Sequence, residues 1–188
     1  KWPENLTSEN GQKYFDMMIT EIDSEKVKKN IQEVILQGKS MREEAKWLGS
    51  GLKSVKSQLV TAHMDFNRGN ILVKDDPFEI RLIDLDFSGY NYRGTDFGRY
   101  FSTWRQKEML FGFDRFPSDE EMSLFLKAYI KENVNLHGEG YLKKEINTVA
   151  SMIKETKYFT LIAYFVDTLF LIFKCKSSQD DKQGFVVS

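Results

Sequence analysis

Three side chains between positions 63 and 84 have the types and spacing needed to move a phosphoryl group onto an alcohol. His63-Met64-Asp65 is followed, five residues after the aspartate, by Asn70, and a later apolar run ends in Ile83-Asp84. Such a transfer asks little covalent chemistry of a protein. It asks for a carboxylate beside the attacking hydroxyl and for oxygen ligands that hold Mg²⁺ against phosphates. In that assignment Asp65 orients the alcohol and accepts its proton. Asn70 offers the metal a neutral amide oxygen and Asp84 an anionic one, the hard donors magnesium prefers. Taken singly, each of these residues reads as a turn former or cap. Their combination, with strand-like runs on both sides, carries the chemical reading. His63 is read as structural, an imidazole that holds loop backbone in place.

Short strands must position these groups. Leu59-Val60-Thr61-Ala62 is a strand candidate ahead of the acid, and Ile71-Leu72-Val73 pairs with Ile80-Arg81-Leu82-Ile83 across the turn-forming Asp75-Asp76-Pro77. A hairpin of this kind brings Asn70 and Asp84 to the same end. The remainder reads as helix. Tyr14, Phe15, Met18, Ile19 and Ile22 recur at helical spacing, as do Val27, Ile31, Val34 and Ile35 after a cap at Ser24. Ser40 to Glu43 has capping-box form and leads into an apolar face of Ala45, Leu48, Leu52 and Val55. Gly49-Ser50-Gly51 lacks any G-x-G-x-x-G continuation and is read as a helix stop. A second capping box, Ser118 to Glu121, precedes Met122, Phe125, Leu126, Tyr129 and Ile130. Leu142, Ile146, Val149 and Ile153 mark a following helix, and Phe159 to Phe173 a last one. The aromatic loop Phe111 to Pro117 is assigned to packing, and Lys176 to Lys182 to an exposed polar segment. The fold class expected is α+β, mainly helical, with a small β-hairpin carrying the catalytic and metal loops.

The pattern H-x-D-x-x-x-x-N followed by a strand-end acid resembles the catalytic and metal loops of kinases, with Met64 where Arg is usual and Leu85 where Phe is usual. Asp84-Leu85-Asp86-Phe87-Ser88-Gly89-Tyr90-Asn91-Tyr92-Arg93-Gly94, then Asp96-Phe97-Gly98, narrows this. It resembles the choline/ethanolamine kinase family, whose run reads approximately I-D-F-E-Y-S-x-Y-N-Y-R-G-x-D-I-x-N-H-F-x-E-W. The S-x-Y-N-Y-R-G portion is long and chemically unusual. Lys1-Trp2 and the segment ending near Phe185 extend the likeness over essentially the whole chain. The resemblance implies a protein-kinase-like C-terminal lobe, residues 1–188 forming a single lobe without the N-terminal lobe that holds ATP. It implies ATP-dependent phosphorylation of choline or ethanolamine, the first step of phospholipid head-group synthesis. Mg²⁺ is the cofactor, ATP the co-substrate, a homodimer the assembly to expect and the cytoplasm the compartment. Without a nucleotide lobe the isolated chain is expected to be nearly inactive.

By the same resemblance, Asp96 opens the next helix and holds the catalytic-loop backbone, as an N-cap carboxylate favoured by the helix dipole. Arg93 meets either a phosphate or a nearby acid in a structural ion pair, and Gly94 permits a bend. The positions that would hold the substrate ammonium are Asp86, Phe87, Thr103, Asp167 and Phe170, where the family more often has Glu, Tyr, Glu, Trp and Trp. A quaternary ammonium has no N–H and is recognised by charge and aromatic faces. A weaker aromatic cage with Asp86 and Asp167 suits the three donors of a primary ammonium, so ethanolamine should serve at least as well as choline. Two other readings stand beside this one. One is a related small-molecule kinase of the aminoglycoside type, against which Asn91-Tyr92-Arg93-Gly94 speaks. The other is a catalytically impaired, kinase-derived binding protein or truncated product.

Composition bounds the partners. At 188 residues the chain can bury one sizeable core. A net charge of −1 gives no electrostatic case for nucleic acid or an anionic membrane surface. The single cysteine, Cys175, excludes an intramolecular disulfide framework, suits a reducing compartment and is read as a packing residue. No secretory signal is visible in the first twenty residues. The most apolar run, Leu161 to Phe173, is too short to span a bilayer and is read as a buried core helix.

Overall fold

The structure is a computed structural model that describes residues 25–30, 33, 41–106 and 115–180. The helix expected over 14–22, the caps at Ser24 and Ser40, Ile31, Val34 and Ile35 of the next expected helix, and positions 111–114 of the aromatic loop lie outside the described residues. The chain divides into two compact units, Lys1–Ser54 with Tyr164–Ser188, and Val55–Ala163.

In the first unit, α1 covers Glu25–Asn30 and α2 covers Met41–Val55. Met41, Ala45, Leu48 and Leu52 are buried, a stripe at the three-to-four spacing of one helix face. Gly49-Ser50-Gly51 does not stop this helix, contrary to the sequence expectation. Leu48 and Leu52 are buried on either side of it, and the Ser50 hydroxyl donates back to the Trp47 carbonyl at 2.7 Å. Burial of the apolar stripe outweighs a glycine penalty of about 1 kcal/mol each. The helix ends instead before Lys56, which adopts a left-handed φ of 49°.

The second unit begins with β1, Leu59–Ala62, followed by β2, Ile71–Lys74, β3, Glu79–Leu82, and β4, Gly89–Tyr92. β2 and β3 form an antiparallel hairpin with Ile71 opposite Leu82 and Lys74 opposite Glu79. β4 is an addition to the sequence reading. It pairs antiparallel with β1, Leu59 opposite Tyr92 and Ala62 opposite Gly89. Asn91-Tyr92 is therefore strand, and Arg93-Gly94 is the first turn of α3, Arg93–Ser102, rather than a bend.

Helices supply the core of this unit. Phe97 and Phe101 of α3 pack with Met122 and Leu126 of α4, Asp119–His137, and with Tyr141 and Met152. Aromatic edges tighten the contact, Phe97 meeting Tyr129 with centroids 4.9 Å apart. α4 starts at the expected capping box: Ser118 Oγ accepts from Glu121 N at 3.3 Å, and the Glu121 carboxylate accepts from Ser118 N at 2.9 Å. Leu142 and Ile146 fall in 3₁₀ turns, Glu139–Lys143 and Glu145–Asn147, and not in a helix. The two final helices expected from sequence are one, α5, Val149–Asp180. Its run contains neither glycine nor proline, and Thr148 Oγ1 caps its start by accepting from Ser151 N at 3.2 Å. Cys175 and the start of the polar segment at Lys176 belong to this helix.

The run from Leu161 is one-sided rather than wholly buried. Ile162, Ala163, Phe165 and Ile172 are buried, whereas Leu161, Phe170 and Leu171 are exposed. No helix among the described residues is long and apolar enough to cross a membrane.

Candidate active site

The loop between β1 and β2 carries Asp65, and its shape is imposed by α3. His63 N and Met64 N donate to Asp96 Oδ2 and Oδ1, each at 2.8 Å. Both oxygens of one carboxylate thus anchor consecutive amides, and Met64 takes a left-handed φ of 67° between them. The N-cap of α3 is Tyr92, and Asp96 sits in the helix's first turn instead of at the cap. An aspartate there still complements the helix dipole while reaching back to the loop. Burial pushes the Asp96 carboxyl above its ordinary value despite the two backbone donors and the nearby His63.

His63 is buried, and its Nε2 lies 3.0 Å from the Ile83 carbonyl. A carbonyl only accepts, so this ring nitrogen carries the proton. The bond ties His63, two residues before Asp65, to Ile83, the residue before Asp84. A further tie comes from Ser88, whose hydroxyl reaches the His63 carbonyl at 3.4 Å and whose N–H donates to Leu85 O at 2.9 Å.

Asp65 and Asn70 meet directly. Asn70 Nδ2 donates to Asp65 Oδ2 at 3.1 Å and to Asp65 O at 3.0 Å. A 3₁₀ turn, Arg68–Asn70, makes this approach possible, capped by Asn67 Oδ1 accepting from Gly69 N at 2.8 Å. The other carboxylate oxygen of Asp65 accepts from Arg99 Nε at 3.0 Å. Burial pushes the Asp65 carboxyl up, but Asn67, the charge and hydrogen bond of Arg99, and the Asn70 amide outweigh it and hold it below its ordinary value.

Asp84 follows Ile83, the residue paired with Asn70. Ile83 N donates to Asn70 O at 3.0 Å, extending the β2–β3 ladder by one rung, and Asp84 follows with a left-handed φ of 61°. Asp84, Asp86 and Phe87 lie in an exposed stretch, Phe87 at 67 %. Because Asn70 commits its amide nitrogen to Asp65, its oxygen is the end left to meet a cation. That oxygen and the exposed Asp84 carboxylate are a donor set of hard oxygens that fits Mg²⁺. Among the described residues no group of three or more His, Cys, Asp or Glu side chains is placed to hold a metal alone. Magnesium in phosphoryl-transfer sites takes one or two protein carboxylates and completes its shell with phosphate and water.

The residues assigned to an ammonium pocket belong to both compact units, Asp86, Phe87 and Thr103 to the second. Thr103 is buried at the end of α3, its hydroxyl within 3.1 Å of Tyr100 O and 3.4 Å of Arg99 O. Asp167 and Phe170 lie on α5 in the first compact unit. Arg93 is 1 % exposed and surrounded by protein partners. It donates to Glu155 from Nε and Nη2, at 3.1 and 2.9 Å, to Asn147 Oδ1 at 2.7 Å, to Tyr141 Oη at 3.1 Å and to Ile146 O at 2.5 Å. Of the two readings of Arg93, the geometry is that of the buried ion pair.

Sequence reasoning did not single out Arg99, Ser88 or Glu155. A signal for Arg99 existed: it follows Asp96 by three residues and so shares its helix face. An acid on that face holding the loop's backbone puts the next turn beside the loop's side chains.

Comparison with known proteins places these features in context. The sequence profile described as choline/ethanolamine kinase matches residues 1–185. Ethanolamine kinase 1 from Mus musculus is 26% identical over 179 residues, 93% of this chain and 48% of that protein. Choline kinase alpha from Mus musculus is 29% identical over 143 residues, 70% of this chain and 32% of that protein. The chain thus spans about half or less of the lengths of these relatives. Among solved structures, ethanolamine kinase from Plasmodium vivax superposes with a TM-score of 0.64 at 19% identity, covering 93% of this chain and 44% of that one. Choline kinase from Cryptosporidium parvum gives 0.53 at 19% identity, covering 96% of this chain and 56% of that one. These likenesses establish a shared fold.

Proposed function

The chain belongs to the choline/ethanolamine kinase family, and from that premise we propose that it carries the acceptor and metal side of an ATP-dependent transfer of phosphate to a small amino alcohol. The observation that carries this reading is the Asp65–Asn70 contact, set on a backbone held by Asp96 and facing the strand end that bears Asp84. In fold terms the chain corresponds to the C-terminal lobe of a protein-kinase-like enzyme, its hairpin bearing the catalytic and metal loops.

Asp65 is the group that receives the hydroxyl. Its carboxylate stays ionised well into the acidic range, so it is ready to accept a hydrogen bond from the alcohol at neutral pH. It aligns the hydroxyl oxygen toward the incoming phosphorus and takes the proton as the new P–O bond forms. Asn70 holds that carboxylate by its nitrogen and turns its oxygen to the metal side. Asp84 and Asn70 are the residues that would hold Mg²⁺, which when bound neutralises charge on the phosphates of ATP. Asp96 and His63 act through the backbone, fixing where residues 64, 65 and 83 lie.

The substrate is choline or ethanolamine, with ethanolamine used at least as well. Supporting this, Thr103 offers no charge and spends its hydroxyl on its own helix, so the acid common in the family at this position has no counterpart. Less negative charge and fewer aromatic faces weaken recognition of a quaternary ammonium more than of a hydrogen-bonding primary one.

The test is ATP-dependent phosphorylation of each alcohol by the full-length protein and by Asp65→Asn. Removing the base should lower kcat by about 10²–10⁴-fold. An Asp65→Asn enzyme with parental kcat would refute the assignment of Asp65, and a strong preference for choline would refute that of the substrate.

A further inference from the structure

The donors that grip the Asp65 carboxylate come from opposite sides. Asn70, within the same loop, takes Oδ2, and Arg99, projecting from α3, takes Oδ1 at 3.0 Å. The two side chains of the ion pair are 22% and 25% exposed, so the contact is partly shielded from water. Donors on both oxygens define the plane of the carboxylate.

We infer that Arg99 is a positioning residue of the phosphoryl-transfer site, holding the Asp65 carboxylate in the orientation that meets the hydroxyl of the acceptor alcohol. This rests on the role proposed above for Asp65. Two features separate Arg99 from an ordinary ion pair. Its backbone belongs to the helix turn that follows Asp96, which already anchors the loop through His63 N and Met64 N. Loop backbone and loop carboxylate are therefore registered against one rigid element, the arrangement that keeps a reacting group within a few tenths of an ångström of its place. The contact is also made by Nε, the guanidinium nitrogen nearest the stem, which leaves Arg99 less freedom to swing than a contact through a terminal nitrogen. Partly exposed ion pairs add little to stability. The consequence of losing Arg99 should thus fall on turnover and not on folding.

The experiment measures steady-state kinetics with ATP and ethanolamine for the full-length protein, Arg99→Gln, Arg99→Lys, Asp65→Asn and the double variant Asp65→Asn/Arg99→Gln. Arg99→Gln should lower kcat by about ten- to a hundredfold, the range for a slightly misplaced group, with both KM values nearly unchanged. Arg99→Lys should recover part of the loss, and it keeps the measurement open if Arg99→Gln does not fold. The double variant should be no slower than Asp65→Asn, because Arg99 acts only through that carboxylate.

Multiplying losses in the double variant would overturn the inference, as would parental kcat in Arg99→Gln. A rise in KM alone would overturn it too, making Arg99 a binding group. If Asp65→Asn alone keeps parental kcat, the proposed role of Asp65 falls first. A loss in Arg99→Gln while Asp65→Asn is unimpaired would show that the arginine works by another route.

Discussion

Two aspartates of similar sequence context take opposite electrostatic positions here. Asp65 is pushed up by burial but held below its ordinary value by Asn67, Arg99 and Asn70, whereas Asp96 is raised because burial outweighs its two backbone donors. The division matches their tasks: a base must stay ionised, and an anchor must stay dry. For Asp96 the sign is fixed by its raised folded value. The folded state holds the proton more tightly, so stability falls as pH rises from the ordinary carboxylate value through the folded one. Asp96→Asn should remove that pH dependence but leave one loop amide without its acceptor, since an amide offers a single oxygen. The expected cost is about 1–3 kcal/mol at neutral pH, read by urea unfolding. Unchanged stability would show that the His63 and Met64 amides find other partners.

At the scale of elements, α3 crosses α5 so closely that glycine is required at the crossing. A Cβ on Gly94 would overlap the Phe159 ring, and one on Gly98 would overlap the Phe159 backbone itself. A ring can turn aside and a helix backbone cannot. Gly98→Ala should therefore destabilise the protein by about 1–3 kcal/mol, more than Gly94→Ala, in thermal or urea unfolding. Equal and negligible effects would mean that the helices can separate freely. The start of α4 supplies a pH-dependent test. Arg115 and the Ser118 amide lower the Glu121 carboxyl from 4.5 to about 2. With a lowered folded value, its stabilisation is complete above the unfolded value and is lost as pH falls through the folded one. Glu121→Gln should flatten the decline in Tm between pH 4.5 and about 2. An unaltered acid limb would assign that decline to other carboxylates.

At the scale of the whole chain, the Val55–Ala163 unit is knitted by a buried charge. Arg93 at the start of α3 reaches Glu155 in α5, Tyr141 and Asn147 in the 3₁₀ turns, and Ile146 O. Ser57, just ahead of β1, donates to Glu155 and accepts from Gly94 N. Segments far apart in sequence are thereby held in one register. Arg93→Met would leave Glu155 buried and unpaired, at a cost of about 3–5 kcal/mol. Removing both charges with Arg93→Met/Glu155→Met should recover much of that loss in urea unfolding. A double variant as unstable as the single would show that the surrounding hydrogen bonds, and not the unpaired acid, set the cost.

The sequence by itself determined what short-range rules govern. The hairpin of β2 and β3 follows from two short strand-like runs around a turn, the capping box at Ser118 from spacing of three, and the pairing of Asn70 with Ile83, the residue before Asp84, from the hairpin. The motif from Asp84 to Gly94 identified the family. Short-range rules failed where burial decided: α2 runs through two glycines, and α5 continues where two helices were expected. Only the tertiary structure decided the partners. Arg99 finds Asp65 across 34 positions and Arg93 finds Glu155 across 62. β4 is a strand because β1 is there to pair with it, and Thr103 faces its own helix because its surroundings are packed. A side chain's type and spacing state what it can bond, but which partner it bonds depends on which elements packing brings within about 3 Å, and that is a property of the whole fold.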